Sequence, residues 1–150
     1  MIAELEPVWK QFTETYDALR QALAEVPDDR LSWRPGPAAT TAALITQHIA
    51  RANRAYAAKI DGSAFTIPPY EEQMSRERLL ELLAVSEERV REVFDQLPAE
   101  ELRRTRADRR RPLGPEVEGP LDALWFAQQM VRHSAYHLGQ INYILLLLEG

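Results

Sequence analysis

Apolar residues recur at steps of three and four along four separate stretches of this chain, and no stretch alternates apolar with polar residues. The first pattern belongs to helices with one buried face, and the missing second pattern removes the usual signature of half-buried strands. In the first stretch, about residues 4–26, Trp9, Phe12, Tyr16, Leu19 and Leu23 form one stripe. Pro7 fits only the first turn, which puts the true start nearer Glu6, and Pro27-Asp28-Asp29 stops the helix. The second stretch runs from a Thr40 or Thr41 cap to about Ile60, with Leu44, Ile45, His48, Ile49, Ala52 and Tyr56 facing inward. The third runs from a Ser75 cap to about Leu97, buried along Leu79, Leu83, Ser86, Val90, Val93 and Leu97. The fourth is expected to start near Pro120 or Leu121 and reach about Leu148. Its inner side carries Phe126, Met130, His133, His137, Ile141, Ile144 and Leu148. Near its end the apolar surface spreads almost all round, as in a helix that is central in its bundle or covered by another subunit. The class is all-α, and 150 residues suit one domain, 1–150, with a sizeable core.

The connectors are marked by their breakers. Residues 30–37 contain Pro35-Gly36-Pro37, with Trp33 placed to tuck against the bundle. Residues 64–74 read as a loop around Pro68-Pro69-Tyr70. Residues 99–120 are rich in Arg, Pro and Gly and read as a long loop before the fourth helix; a short hairpin is the less favoured reading.

Charge and composition exclude several function classes. A net charge of -5 disfavours nucleic acid as a partner. With no cysteine, the chain has no disulfide, thiolate ligand or cysteine nucleophile, and it suits a reducing cytoplasm. The acidic start through Glu4 and Glu6 lacks the apolar core of a secretory signal. The longest apolar run, residues 144–148, is far too short to span a bilayer, so no membrane role is expected.

Only three histidines occur, and all fall on predicted inner faces. His133 and His137 are four apart, about one helical turn, so both imidazoles leave the same side. His48 can add a third nitrogen from the second helix. Three protein ligands with one position open describe a reactive metal site rather than a closed structural one. Imidazole suits zinc, nickel, copper or iron. A lone histidine at such a place is ordinarily a hydrogen-bonded core residue; three together, with none elsewhere, favour the metal. Ser134 stands where an H-E-x-x-H peptidase carries its glutamate base, so that chemistry is disfavoured. The Glu-x-x-His motifs of carboxylate-bridged di-iron bundles are absent. Gln140, three residues after His137, and Gln129, four before His133, are candidates to accept an imidazole N–H, with Gln47 and Tyr16 as weaker choices; for each of them a polar residue facing solvent is the favoured reading.

These residues together resemble the DinB/YfiT-like superfamily of bacterial four-helix-bundle proteins. The resemblance runs through nearly the whole chain, from the aromatic first helix through residues 26–35 and Leu44-Ile45-Thr46-Gln47-His48-Ile49. Its most specific segment is the H-x-x-x-H-x-G-Q of His133, His137, Gly139 and Gln140. The resemblance implies an antiparallel bundle of up-down-down-up topology, with a divalent metal, zinc or nickel first, on His48, His133 and His137. It further implies a metal-dependent transferase or detoxification enzyme using a low-molecular-weight thiol such as bacillithiol or mycothiol. The alternative is a stress-associated metal-binding bundle without turnover. Homodimers are frequent in the family, and the apolar end of the fourth helix suits one. Arg103, Arg104, Arg106, Arg109, Arg110 and Arg111 crowd one loop of an otherwise acidic chain. A clamp for the thiol's carboxylates is one role for them; pairing with nearby glutamates on a solvated loop is the favoured one.

Overall fold

The computed structural model describes residues 1–110 and 117–150. Four helices carry it: α1 (Glu6–Glu25), α2 (Ala42–Asp61), α3 (Arg76–Gln96) and α4 (Ala123–Glu149). Each start has a physical cause. Pro7 sits in the first turn of α1, where its missing N–H has no partner to lose. Thr41 Oγ1 accepts from Leu44 N at 3.1 Å, Ser75 Oγ from Arg78 N at 3.3 Å, and Asp122 Oδ1 from Trp125 N at 2.8 Å. Gly62, at φ 76°, ends α2 in the left-handed region that glycine enters without strain.

Contacts between the helices fix their directions. The Met1 amino group lies 3.7 Å from Asp95, and the Arg76 guanidinium donates to the Leu23 carbonyl, so α1 and α3 are antiparallel. Gln47, early in α2, bonds Glu71 just before α3, while Asp61, at the end of α2, pairs with Arg89 late in α3. Those two helices are therefore parallel. The Tyr56 and Phe126 rings pack at 6.1 Å while His48 meets His133, so α2 and α4 are antiparallel. The result is the up-down-down-up bundle. Its core is built from Phe12, Leu19, Ile49, Leu83, Phe94, Met130 and Ile141, all essentially without exposure. Every residue of the expected α3 stripe is buried.

Parallel neighbours cannot be joined by a tight turn. The chain must travel back along α2, about 30 Å for a helix of this length, before α3 can begin. Residues 62–75 make that return largely without regular structure. Three α2 side chains spaced one turn apart meet the crossover. Gln47 bonds Glu71, Arg51 lies over the Tyr70 ring at 3.8 Å, and Arg54 lies over Phe65 at 4.5 Å.

The stretch before α4 departs from the expected loop. Thr105–Arg110 (β1) and Val117–Asp122 (β2) pair as an antiparallel hairpin, with Thr105 opposite Asp122 and Ala107 opposite Leu121. Helix α4 accordingly begins at Ala123 rather than at Pro120 or Leu121, because those residues are held in β2. The ladder is irregular on both sides of Ala107, and Gly119 takes a φ of 111° that glycine tolerates.

Candidate metal centre

The three imidazoles expected to meet do meet. His48 lies two turns into α2, and His133 and His137 lie mid-way along the facing α4. His133 Nε2 is 3.0 Å from His48 Nε2 and 3.1 Å from His137 Nε2, and the three ligand atoms fall within 4.8 Å of one another. His137 is 5% exposed, and the other two are half-buried. Among the described residues this is the one such group of histidine and carboxylate side chains, and it contains no carboxylate.

On His137 and His48 the outer nitrogen bears on the inner one. Gln140 Oε1 lies 2.6 Å from His137 Nδ1. A carbonyl oxygen only accepts, so Nδ1 carries the proton and Nε2 presents a lone pair to the centre. Burial holds the His137 imidazole below its usual pKa, while the Gln140 bond pulls the other way. The group is thereby kept in the neutral form that a metal requires. On the opposite wall, His48 Nδ1 is 3.0 Å from the Tyr70 hydroxyl.

Beneath the imidazoles a buried polar chain links all four helices. Asn53 Nδ2 donates to Tyr16 OH at 2.8 Å and to Ser134 Oγ at 3.0 Å, and Tyr16 OH lies 2.7 Å from Ser86 Oγ. Burial pushes the Tyr16 phenol up to about 12, against the lowering effect of its Ser86 and Asn53 bonds. Tyr16 is therefore a neutral structural link and does not reach the imidazoles. Gln129 pairs with Arg132 instead of His133, and Gln47 turns to the crossover.

The centre opens onto a cleft of about 460 Å³. Leu44, Ile45 and Tyr70 give it apolar walls, and Thr40, Glu72 and Gln140 add polar groups beside His48 and His137. Glu72 is engaged at 2.7 Å by Arg34. A depression of similar size, about 470 Å³ between Asp28 and Glu77, has no imidazole in its lining.

The arginine loop lies elsewhere. Arg106, whose side chain is 6% exposed, donates to the Ile60 carbonyl at 2.8 Å and to Glu101. Arg104 pairs with Glu101, and Arg103 lies 3.2 Å from Asp122. Ile60 is three turns past His48 on α2, about 18 Å along the axis. These three arginines thus brace the far end of the bundle and do not form a clamp at the cleft. Arg111 and the side chains of Arg109 and Arg110 lie outside the described residues.

Helical spacing offered Gln140 as one candidate among four, with a solvent-facing role favoured, and gave no sign of Tyr70 or Asn53. Tyr70 lies on an irregular segment with no periodicity to follow. Asn53 reads as an ordinary polar helix residue, since nothing local marks it as buried.

Solved structures with this fold include a DinB-like protein from Bacillus subtilis, 17% identical, with a TM-score of 0.72 over 97% of this chain and 94% of that one. A conserved protein from Enterococcus faecalis is 14% identical, with a TM-score of 0.77 over 97% of this chain and 96% of that one. No curated protein matches. The family model of the DinB superfamily matches residues 11–141, which includes all three histidines and Gln140. The chain belongs to the DinB superfamily.

Proposed function

We propose that His48, His133 and His137 hold a divalent metal ion, zinc or nickel, and that the cleft beside them receives a low-molecular-weight thiol and its electrophilic partner. The observation carrying this reading is the convergence of three Nε2 atoms at 3.0 and 3.1 Å on a cleft of about 460 Å³. In a tetrahedral site with metal–nitrogen bonds of about 2.0–2.1 Å, donor atoms stand roughly 3.3 Å apart. His133 already stands near that separation from each of the other two imidazoles, and all three ligand atoms lie within 4.8 Å of one another. Gln140 already fixes the His137 tautomer that binding needs.

The donor set also bears on the fourth ligand. Three neutral imidazoles leave a divalent ion's charge uncompensated, which favours an anion such as a thiolate at the open position. When bound, the ion supplies Lewis acidity that lowers the thiol pKa. The chain itself has no cysteine, so the sulfur nucleophile would come with the cosubstrate. Leu44, Ile45 and Tyr70 would exclude water from one side of that sulfur, and Gln140 would hold His137 in register. The exposed Tyr136, Tyr143, Leu146 and Leu147 on α4 support a second copy of the chain as partner, in line with the family resemblance.

Metal analysis of the purified protein beside its His137→Ala variant tests the ligand set. One ion per chain, lost in the variant, is expected, and full retention in the variant removes the assignment. Turnover of an electrophile panel with bacillithiol, glutathione or coenzyme A then tests the chemistry. Metal bound without turnover on any pair would favour a binding protein over a transferase.

A further inference from the structure

His137 finds its Nδ1 acceptor one turn away on its own helix, at Gln140. His48 has no such choice on α2. The positions one turn from it are Leu44, Ile45, Arg51 and Ala52, and none carries a side-chain acceptor. The oxygen that faces its Nδ1 is the Tyr70 hydroxyl, 3.0 Å away, at the end of the crossover. An irregular segment would not hold an aromatic ring there unaided, since Tyr70 is 49% exposed.

Two buried side chains flanking His48 on α2 secure it. Gln47, fully buried, donates to the Glu71 carbonyl at 2.8 Å and accepts the Glu71 N–H at 3.0 Å, pinning both backbone groups of the next residue. Arg51, 7% exposed, lies over the Tyr70 ring at 3.8 Å and donates to the Pro69 carbonyl. Burying an amide and a guanidinium is costly unless their hydrogen bonds are made. Gln47 makes them to Glu71, and Arg51 makes one through Nη2 to Pro69 and faces the Tyr70 ring, while its buried Nη1 has no hydrogen-bond partner. A cation over an aromatic face adds further attraction.

We infer that Tyr70 is a positioning residue of the metal centre: its hydroxyl accepts a hydrogen bond from His48 Nδ1–H, favouring the tautomer that turns the His48 Nε2 lone pair inward. This rests on the metal reading for its purpose, but the tautomer itself is a property of the metal-free chain. The phenol needs its oxygen for this role and its ring for the Arg51 contact. Tyr70→Phe removes the first and keeps the second.

The test reads the His48 tautomer by long-range proton–nitrogen NMR on metal-free protein at mildly alkaline pH, in wild type and Tyr70→Phe. His48 is expected mainly as the Nδ1–H form in wild type, shifting toward Nε2–H in the variant. The His137 signals should stay in place, because Gln140 is untouched. Zinc titration against a chromophoric chelator should give an unchanged stoichiometry and a dissociation constant about 10- to 100-fold weaker in the variant. A His48 tautomer that Tyr70→Phe leaves unaltered overturns the proposal, whatever the zinc result. Zinc binding that survives His48→Ala would overturn the metal reading instead, and the NMR comparison would still decide the role of Tyr70. Gln47→Leu, which frees the crossover without touching the phenol, should move the same tautomer signal in the same direction.

Discussion

Asn53 Nδ2 lies 3.0 Å from Ser134 Oγ, so the residue beside His133 in sequence turns into the bundle core and not toward the imidazoles. Ser134 has no exposure, and Asn53 carries the link on to Tyr16. This explains why position 134 holds no glutamate. A carboxylate there would exchange its hydration for the neutral Asn53 amide in a fully buried position. Ser134→Glu should therefore create no peptidase. It should cost about 3 kcal/mol or more of folding stability, against about 1–2 kcal/mol for Ser134→Ala. Urea unfolding of the two variants measures this, and a Ser134→Glu protein as stable as wild type would mean that the side chain escapes to the cleft.

Gln140 is the acceptor that fixes His137, at 2.6 Å. Gln140→Leu removes it while keeping the bulk and the helix propensity. Zinc affinity should fall about 10- to 100-fold with little change in thermal midpoint. Gln140→Glu should retain most of the affinity, because a carboxylate accepts the same proton. Competition titrations of the pair separate an electronic role from a packing one. Equal losses in both variants would count against the hydrogen bond as the cause.

How far the sequence leads depends on the range of the interaction involved. The α3 stripe, the Thr41 and Ser75 caps and the Gln140 acceptor all follow from spacing along one helix, which periodicity reports directly. Meeting of His48 with the α4 pair depends on which faces pack, and the apolar stripes already indicated those faces. Tyr70 depends on α2 and α3 being parallel, a tertiary fact that sends the crossover back past His48. The hairpin escaped because its strands, TRADRR and VEGPLD, are poor in β-branched and aromatic residues. Among their described side chains, Leu121 enters the core and Ala107 packs against it.

The Arg106 side chain is nearly buried where it caps the Ile60 carbonyl near the end of α2 and binds Glu101. Arg106→Ala should leave those acceptors unpaired and cost about 1–3 kcal/mol. Zinc affinity should be unaltered, since the site is about 18 Å away along α2. Chemical denaturation and metal titration of one preparation give both numbers. A weakened metal affinity at full stability would place the arginine loop back at the site.

The apolar residues Tyr136, Tyr143, Leu146 and Leu147 are each more than a third exposed on α4. If a second copy covers them, charge at their centre should prevent association. The double change Tyr143→Glu and Leu146→Glu is expected to convert a dimer to a monomer in light scattering, with helix content retained. A wild-type chain that is monomeric at high concentration would end the dimer proposal.

Asp61 closes α2 and starts the crossover. It accepts from Ser63 N at 2.9 Å and pairs with Arg89 of α3. Burial is the largest influence on its carboxyl and pushes the pKa up. The Ser63 bonds and the Arg89 charge together outweigh it and hold the pKa below the usual value of 3.8. For a carboxyl depressed in the folded state, the stabilisation is fully present above the unfolded value and disappears as pH falls through the lower, folded one. Asp61→Asn should therefore lower stability at neutral pH by a few tenths to about 1 kcal/mol, the range for a partly exposed pair. The difference from wild type should close as pH drops below about 4. Urea midpoints of both proteins across that range test it, and a difference independent of pH would assign the role of Asp61 to its shape alone.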